Sequence, residues 1–138
     1  MKRGTILHPA LSRVVASLGH GDLLVVGDAG LPIPPGVERI DLAFAPGKPA
    51  FHDVLEAILS ETEVERATVA AELRTASPAA FRERLEAALL ALPKVRARGV
   101  EVVPHEELKR LTRGARAIVR TGEFTPYANV VLHAGVVF

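Results

Sequence analysis

Residues 19–34 read Gly-His-Gly-Asp-Leu-Leu-Val-Val-Gly-Asp-Ala-Gly-Leu-Pro-Ile-Pro. Leu23 to Val26 is an unbroken apolar run bounded by glycine and aspartate. That pattern predicts a short strand buried on both faces, as in the parallel sheet of an α/β protein. Asp28 stands just past the strand's carboxyl end, where open α/β sheets gather their ligands. Gly30, Pro32 and Pro34 leave the exit loop little freedom. His20 sits in a glycine turn ahead of the strand. An imidazole, a strand and a rigidly held carboxylate within residues 20–28 look like half of an active site.

Working outward, residues 9–18 predict a helix, with Pro9 in its first turn and Leu11, Val14, Val15 and Leu18 at helical spacing. His8 is its cap, and Gly19 is read as a left-handed C-cap. A second strand is expected over 37–44, after the Pro-rich 31–36 loop. A helix is expected over 51–60, with Phe51, Val54, Leu55, Ile58 and Leu59 on one face. Residues 64–71 form a strand. Ser77 caps a helix that starts at Pro78 and runs to Pro93. Residues 100–103 form a strand, 104–112 a helix ended by Gly114, 117–119 a strand, and 129–138 a long final strand broken by Gly135. Alternating strands and helices predict a three-layer α/β/α fold whose central sheet is mixed and mainly parallel. The last two strands have no helix between them, which leaves antiparallel pairing of the two or a mixed sheet. The 138 residues are expected to form one domain, with no repeat and no linker.

Composition removes several functions. Net charge is +1, without a basic stripe, and aromatic residues make up only 4%, so nucleic acid is not an expected partner. There are no cysteines, hence no disulfide, thiolate metal site or cysteine nucleophile. No apolar run is long enough to span a membrane, and the expected compartment is the cytoplasm. HxH, HxxxH, HExxH, GxGxxG, the P-loop and GxSxG are all absent. The chain offers acid–base and hydrogen-bonding groups but neither a nucleophile nor a cofactor cradle.

Each candidate residue has a plainer role beside the chemical one. Asp28 either serves a ligand or caps a turn with Gly30. His20, near a helix C-terminus, is favoured as imidazolium and so suits a proton donor, or it is a surface capping residue. Asp22 is its partner or a solvated turn residue. His105 opens a helix, where the positive helix end favours neutral imidazole, and Lys109 projects from the same face four positions on. Spacing alone favours an exposed amphipathic helix start there. His52 is placed on the outer part of its helix, and His133 in the last strand. The loop Thr125-Pro126-Tyr127-Ala128-Asn129, with Glu123 nearby, displays a phenol and an amide suited to sugar hydroxyls. It is equally a tight turn in which Asn129 bonds its own backbone.

Several stretches together resemble the ribose/fucose mutarotase family. They are Met1-Lys2-Arg3-Gly4-Thr5, Leu18-Gly19-His20-Gly21-Asp22, Val25-Val26-Gly27-Asp28-Ala29-Gly30-Leu31-Pro32-Ile33-Pro34, His105-Glu106-Glu107-Leu108-Lys109 and Arg120-Thr121-Gly122-Glu123-Phe124-Thr125-Pro126-Tyr127-Ala128-Asn129. The resemblance runs the length of the chain, and its most specific parts are the Asp28–Pro34 loop and the Pro126–Asn129 loop. It implies a sugar-ring isomerase interconverting β-D-ribopyranose and β-D-ribofuranose, the form taken by a ribose kinase. It implies His20 as the acid–base residue and Asp28, His105, Tyr127, Ala128 and Asn129 as sugar contacts, with Lys109 as a further one. It also implies a ring-like homo-oligomer, a decamer, whose sites are shared between neighbouring subunits.

The residue types suit such chemistry. Opening a hemiacetal gives a proton to the ring oxygen and takes one from the anomeric hydroxyl. One positioned histidine with polar clamps suffices, and neither metal nor redox cofactor is needed. Two other readings remain at this point: a fucose-type anomer mutarotase, and a non-catalytic ribose-binding component linked to uptake. The Gly30–Pro34 loop favours ribose over fucose. Two imidazoles with a carboxylate favour catalysis over mere binding.

Overall fold

The computed structural model describes residues 1–138. Its centre is the strand expected from Leu23–Val26. β1 (Leu23–Gly27) is buried along nearly its whole length. The other elements are α1 (Pro9–Ser17), β2 (Glu38–Asp41), α2 (Phe51–Leu59), β3 (Val64–Ala70), α3 (Leu73–Ala76), α4 (Ala79–Leu90), α5 (Pro93–Arg98), β4 (Glu101–Val103), α6 (His105–Thr112), β5 (Ala115–Arg120) and β6 (Val130–Ala134).

One six-stranded sheet runs in the order β2-β5-β1-β6-β3-β4. The pairs β1–β5, β2–β5 and β3–β4 are parallel. β6 lies between β1 and β3 and is antiparallel to both, with Val26 opposite Val130 and Leu23 opposite His133. The mixed, mainly parallel α/β sheet expected from the sequence is therefore present. The last two strands do not pair with each other: β5 and β6 flank β1 on opposite sides. To get from one to the other, residues 121–129 must cross over the carboxyl end of β1. That crossing sets the Tyr127–Asn129 loop above Asp28.

Period-two alternation divides the strand residues between two helical layers. Leu24, Val26, Val119, Val130 and Leu132 pack into a large core with α1, α2, α4 and α5. Val25, Ile118, Val131 and Ala70 pack on the other face with Leu108 of α6. Burial of each of these Leu, Ile and Val side chains contributes about 1.5–3 kcal/mol before the entropic cost of ordering it.

Several local expectations change. The 37–44 strand shrinks to Glu38–Asp41 because β2 is an edge with one neighbour, β5. The final strand stops at Ala134, and Val137 and Phe138 are exposed. The 78–93 helix divides into α4 and α5; Pro93 stands at the start of α5 and cannot continue a ladder that needs its N–H. Ser77 does not cap α4; its hydroxyl donates to the Pro126 carbonyl at 2.6 Å instead. Gly19 is not left-handed: Leu18 leaves α1 extended, and the left-handed residue is Gly21, at φ 82°. His52 is buried rather than outward, with its ring 4.5 Å from that of Phe81 and neither nitrogen hydrogen-bonded. His8 caps α1 as expected, its Nδ1 accepting from the Leu11 N–H at 3.3 Å.

Candidate active site

The carboxyl ends of β1, β3, β4 and β5 and the start of β6 share one edge of the sheet. Asp28 leaves β1 there. Its Oδ1 accepts from the Gly30 N–H at 2.8 Å, the turn-capping geometry weighed from sequence. Its other oxygen is held by a different partner: Asn129 Nδ2 donates to Oδ2 at 3.0 Å, and Asn129 Oδ1 accepts from the Asp28 N–H at 2.9 Å. The Asn129 amide thus bonds Asp28 rather than its own backbone, with one N–H and one oxygen lone pair left over. Gly27 makes room for it, since a Cβ there would stand 3.1 Å from Asn129 Oδ1 and 2.7 Å from Leu31 Cδ2.

The loops on either side are tied together. The Thr121 hydroxyl donates to the Gly27 carbonyl at 2.8 Å, and Arg120 Nε donates to the Ala29 carbonyl at 2.9 Å. The Ala29 N–H donates to the Glu123 carbonyl at 2.8 Å. Glu123 holds its own loop, accepting from the Thr125 hydroxyl at 2.8 Å and from the Phe51 N–H at 3.3 Å. Burial raises the Glu123 pKa, but these donors outweigh it and the carboxyl lies below its ordinary range. Asp28 goes the other way: burial raises its pKa, only partly offset by Gly30 and Asn129.

Tyr127 is the one non-glycine residue with positive φ, 59°, a conformation that costs an ordinary L-residue about 1–2 kcal/mol. The strained turn aims its ring at His105, edge to face, with centroids 5.0 Å apart and planes at 83°. The His105 charge acts on Asp28, favouring the carboxylate. Its Nδ1 is shielded and makes no hydrogen bond within the chain. Asp28, His105, Tyr127 and Asn129 therefore come together at one edge. Ala128 is wholly buried beside them, its N–H bonded to the Thr125 carbonyl. Lys109 is turned to a neighbouring cleft with Pro32–Pro35 and is paired with Glu106 at 2.6 Å.

Next to Asp28 opens a cleft of about 400 Å³, lined by Asp28–Gly30, Arg120 and Glu123–Pro126. Its size is within the range of small-molecule sites. His105, Tyr127 and Asn129 are not part of its wall.

His20 is elsewhere. It precedes β1 while Asp28 follows it, and the five residues of that strand alone hold the two apart by about 15 Å. A single pentose cannot bridge that gap. The His20 side chain is 61% exposed, and its Nε2 meets Glu65 Oε2 at 3.0 Å. Asp22 is not its partner; Asp22 accepts from the Gly19 N–H and pairs with Arg116 at 3.1 Å. His133, at the same end as His20, is buried and bonds the Thr68 hydroxyl at 3.1 Å.

Sequence reasoning missed Glu72, which accepts from the His105 N–H at 2.9 Å, and Ser77 on the Pro126 carbonyl. Both lie outside any motif, and only the fold brings them near.

Known proteins share this architecture. D-ribose pyranase of Paracidovorax citrulli is 57% identical over 138 residues, and that of Symbiobacterium thermophilum is 56% identical, each covering all of both chains. The structure of Bacillus subtilis RbsD complexed with D-ribose superposes with a TM-score of 0.90 at 44% identity, over all of both chains. A fucose mutarotase from Streptococcus pneumoniae shares the fold, with a TM-score of 0.84, at 21% identity. Residues 1–137 match the model of the RbsD / FucU transport protein family, and with full-length relatives above half identity the chain belongs to that family.

Proposed function

We propose that this chain is a D-ribose pyranase, an intramolecular isomerase that interconverts β-D-ribopyranose and β-D-ribofuranose by ring opening and reclosure. The observation that carries the proposal is the half-buried Asp28–Asn129 pair beside the His105–Tyr127 rings, in a chain 57% identical to a D-ribose pyranase along its whole length. Neither a fucose-type activity nor passive ribose binding is favoured. The fucose mutarotase matches at 21% identity, against 44% for the ribose-bound RbsD.

In this reading Asp28, Asn129, Tyr127 and His105 fix the sugar hydroxyls, with the Ala128 backbone and Lys109 at the margin. His20 exchanges protons with the ring oxygen and the anomeric hydroxyl. Because His20 and Asp28 occupy opposite ends of β1, the histidine of each site comes from a neighbouring copy. The sites are shared within a homo-oligomer, a decamer, and residues 1–138 work as one domain. No helix is long and apolar enough to cross a membrane. The proposed compartment for the reaction is the cytoplasm. No metal and no redox cofactor enters the proposed steps.

The test is saturation-transfer NMR on ribose. The protein accelerates pyranose–furanose exchange, and folded His20→Ala does not. Equal acceleration by the variant removes His20 from the mechanism. Faster exchange of fucose anomers than of ribose ring forms overturns the substrate.

A further inference from the structure

The ring pair at the site is held from behind by the segment that joins β3 to α4. α6 begins at His105 without a side-chain cap of its own, because the preceding residue is Pro104. The cap is supplied from across the sheet: Glu72, just past β3, accepts the His105 N–H at 2.9 Å, and this is the only hydrogen bond its side chain makes. Five residues later the hydroxyl of Ser77, itself buried, donates to the carbonyl of Pro126, the residue before Tyr127. The single turn of α3 lies between them, anchored in the core by Leu73. The Ala71 N–H donates to the Val103 carbonyl at 2.8 Å and fixes the segment's start to β4.

We infer that Glu72 and Ser77 are positioning residues of the sugar site, one pinning the backbone of His105 and the other that of Tyr127, so that the 71–77 segment sets the spacing of the two rings. Neither side chain touches the sugar. Each holds a group that does, and the short rigid helix between them fixes the distance from one to the other. The left-handed backbone at Tyr127 needs such a hold, because a strained conformation persists only when its surroundings over-determine it. This inference rests on the assignment of His105 and Tyr127 as ribose contacts.

The chain has one tyrosine and no tryptophan, so its intrinsic emission reports on Tyr127 alone. The experiment compares full-length Glu72→Ala, Glu72→Gln and Ser77→Ala with the unmodified protein. It reads Tyr127 emission, thermal midpoint, and KM and kcat for ribose exchange. Both alanine variants are expected to shift Tyr127 emission. Both should raise KM roughly tenfold with a smaller change in kcat, since displacement by ~1 Å can cost up to 10²-fold and the proton-transferring group is untouched. Glu72→Gln keeps an acceptor oxygen and should restore most of the affinity.

Folded alanine variants with unaltered emission and KM overturn the inference. So does a glutamine variant no better than the alanine one, which would make charge rather than placement the cause. Failure of both alanine variants to fold also overturns it, by making the segment a prop of the fold. If the unmodified protein does not exchange ribose ring forms, the reaction assignment falls, while Tyr127 emission and ribose titration still decide the positioning role.

Discussion

Asn129 reads both faces of Asp28: its amide oxygen takes the backbone N–H and its amide nitrogen gives to the carboxylate, at 2.9 and 3.0 Å, across 101 residues of chain. Only an amide can do both, being donor and acceptor at once. The pair closes the chain's front onto its tail and leaves a half-buried carboxylate with a defined direction.

Asn129→Ala removes both bonds and strands two polar groups of Asp28, a loss of about 1–3 kcal/mol. Asn129→Asp keeps the shape but cannot donate, and sets a second carboxylate against the first. Urea denaturation should show a lower midpoint for both variants. Ribose titration should show the larger loss for Asn129→Asp, where like charge raises the Asp28 pKa further. Wild-type affinity in the aspartate variant would show that the orientation of Asp28 does not matter to the sugar.

Tyr127 separates fold from binding. Its hydroxyl makes no hydrogen bond within the chain, whereas its ring packs against His105 and both cores. Tyr127→Phe should therefore melt with the parent protein and raise KM for ribose roughly 2- to 12-fold, the value of one neutral hydrogen bond. An unchanged KM would leave the phenol without a role.

His52 gives a pH dependence of definite sign. Burial lowers its pKa below 6.5, and its two nitrogens are unpartnered between Phe51 and Phe81. The unfolded chain takes up this proton at a higher pH than the folded chain does. Stability therefore falls as pH drops below 6.5 toward the folded value, and no further below it. His133, also lowered by burial, adds a contribution of the same sign. His52→Leu should match the apolar surroundings and flatten this part of the acid limb. Thermal melts of parent and variant between neutral pH and pH 5 check it: the gap in favour of leucine should widen as pH falls. A constant gap would mean that packing alone, and not the proton, separates them.

Much of this was legible in the chain because it is encoded locally. The apolar run Leu23–Val26, the Pro9 and His8 start of α1 and the face of α2 all signal their elements within a few residues. Among the candidate residues, Asp28, Tyr127 and Asn129 stood out by residue type and loop chemistry and His105 only through the family resemblance, and the fold brings the four to one edge of the sheet. What was not legible depends on partners distant in sequence. β6 enters between β1 and β3 because two neighbours bury all five of its residues, and nothing in Val130–Ala134 names those neighbours. Ser77 carries the signature of a helix cap, a hydroxyl that accepts from helix N–H groups, but it donates to the Pro126 carbonyl instead. Glu72 looks like any surface carboxylate until β3 and β4 pair and set it under α6.

The separation of His20 from Asp28 leads to the sharpest expectation. If each site joins one copy's Asp28 edge to another copy's His20 end, two inactive variants can repair each other. Folded His20→Ala supplies an intact carboxylate edge, and Asp28→Asn supplies an intact imidazole. Each alone should fail to accelerate ribose exchange. Dissociated, mixed in equal amounts and reassembled, they place an intact edge against an intact histidine at about a quarter of random contacts, so about a quarter of wild-type exchange should return. The returning activity should track the mixing ratio and peak at equal amounts, and it should be absent if the two oligomers are mixed without dissociation. A site complete within one chain predicts no recovery at any ratio, because every copy would then carry its own defect.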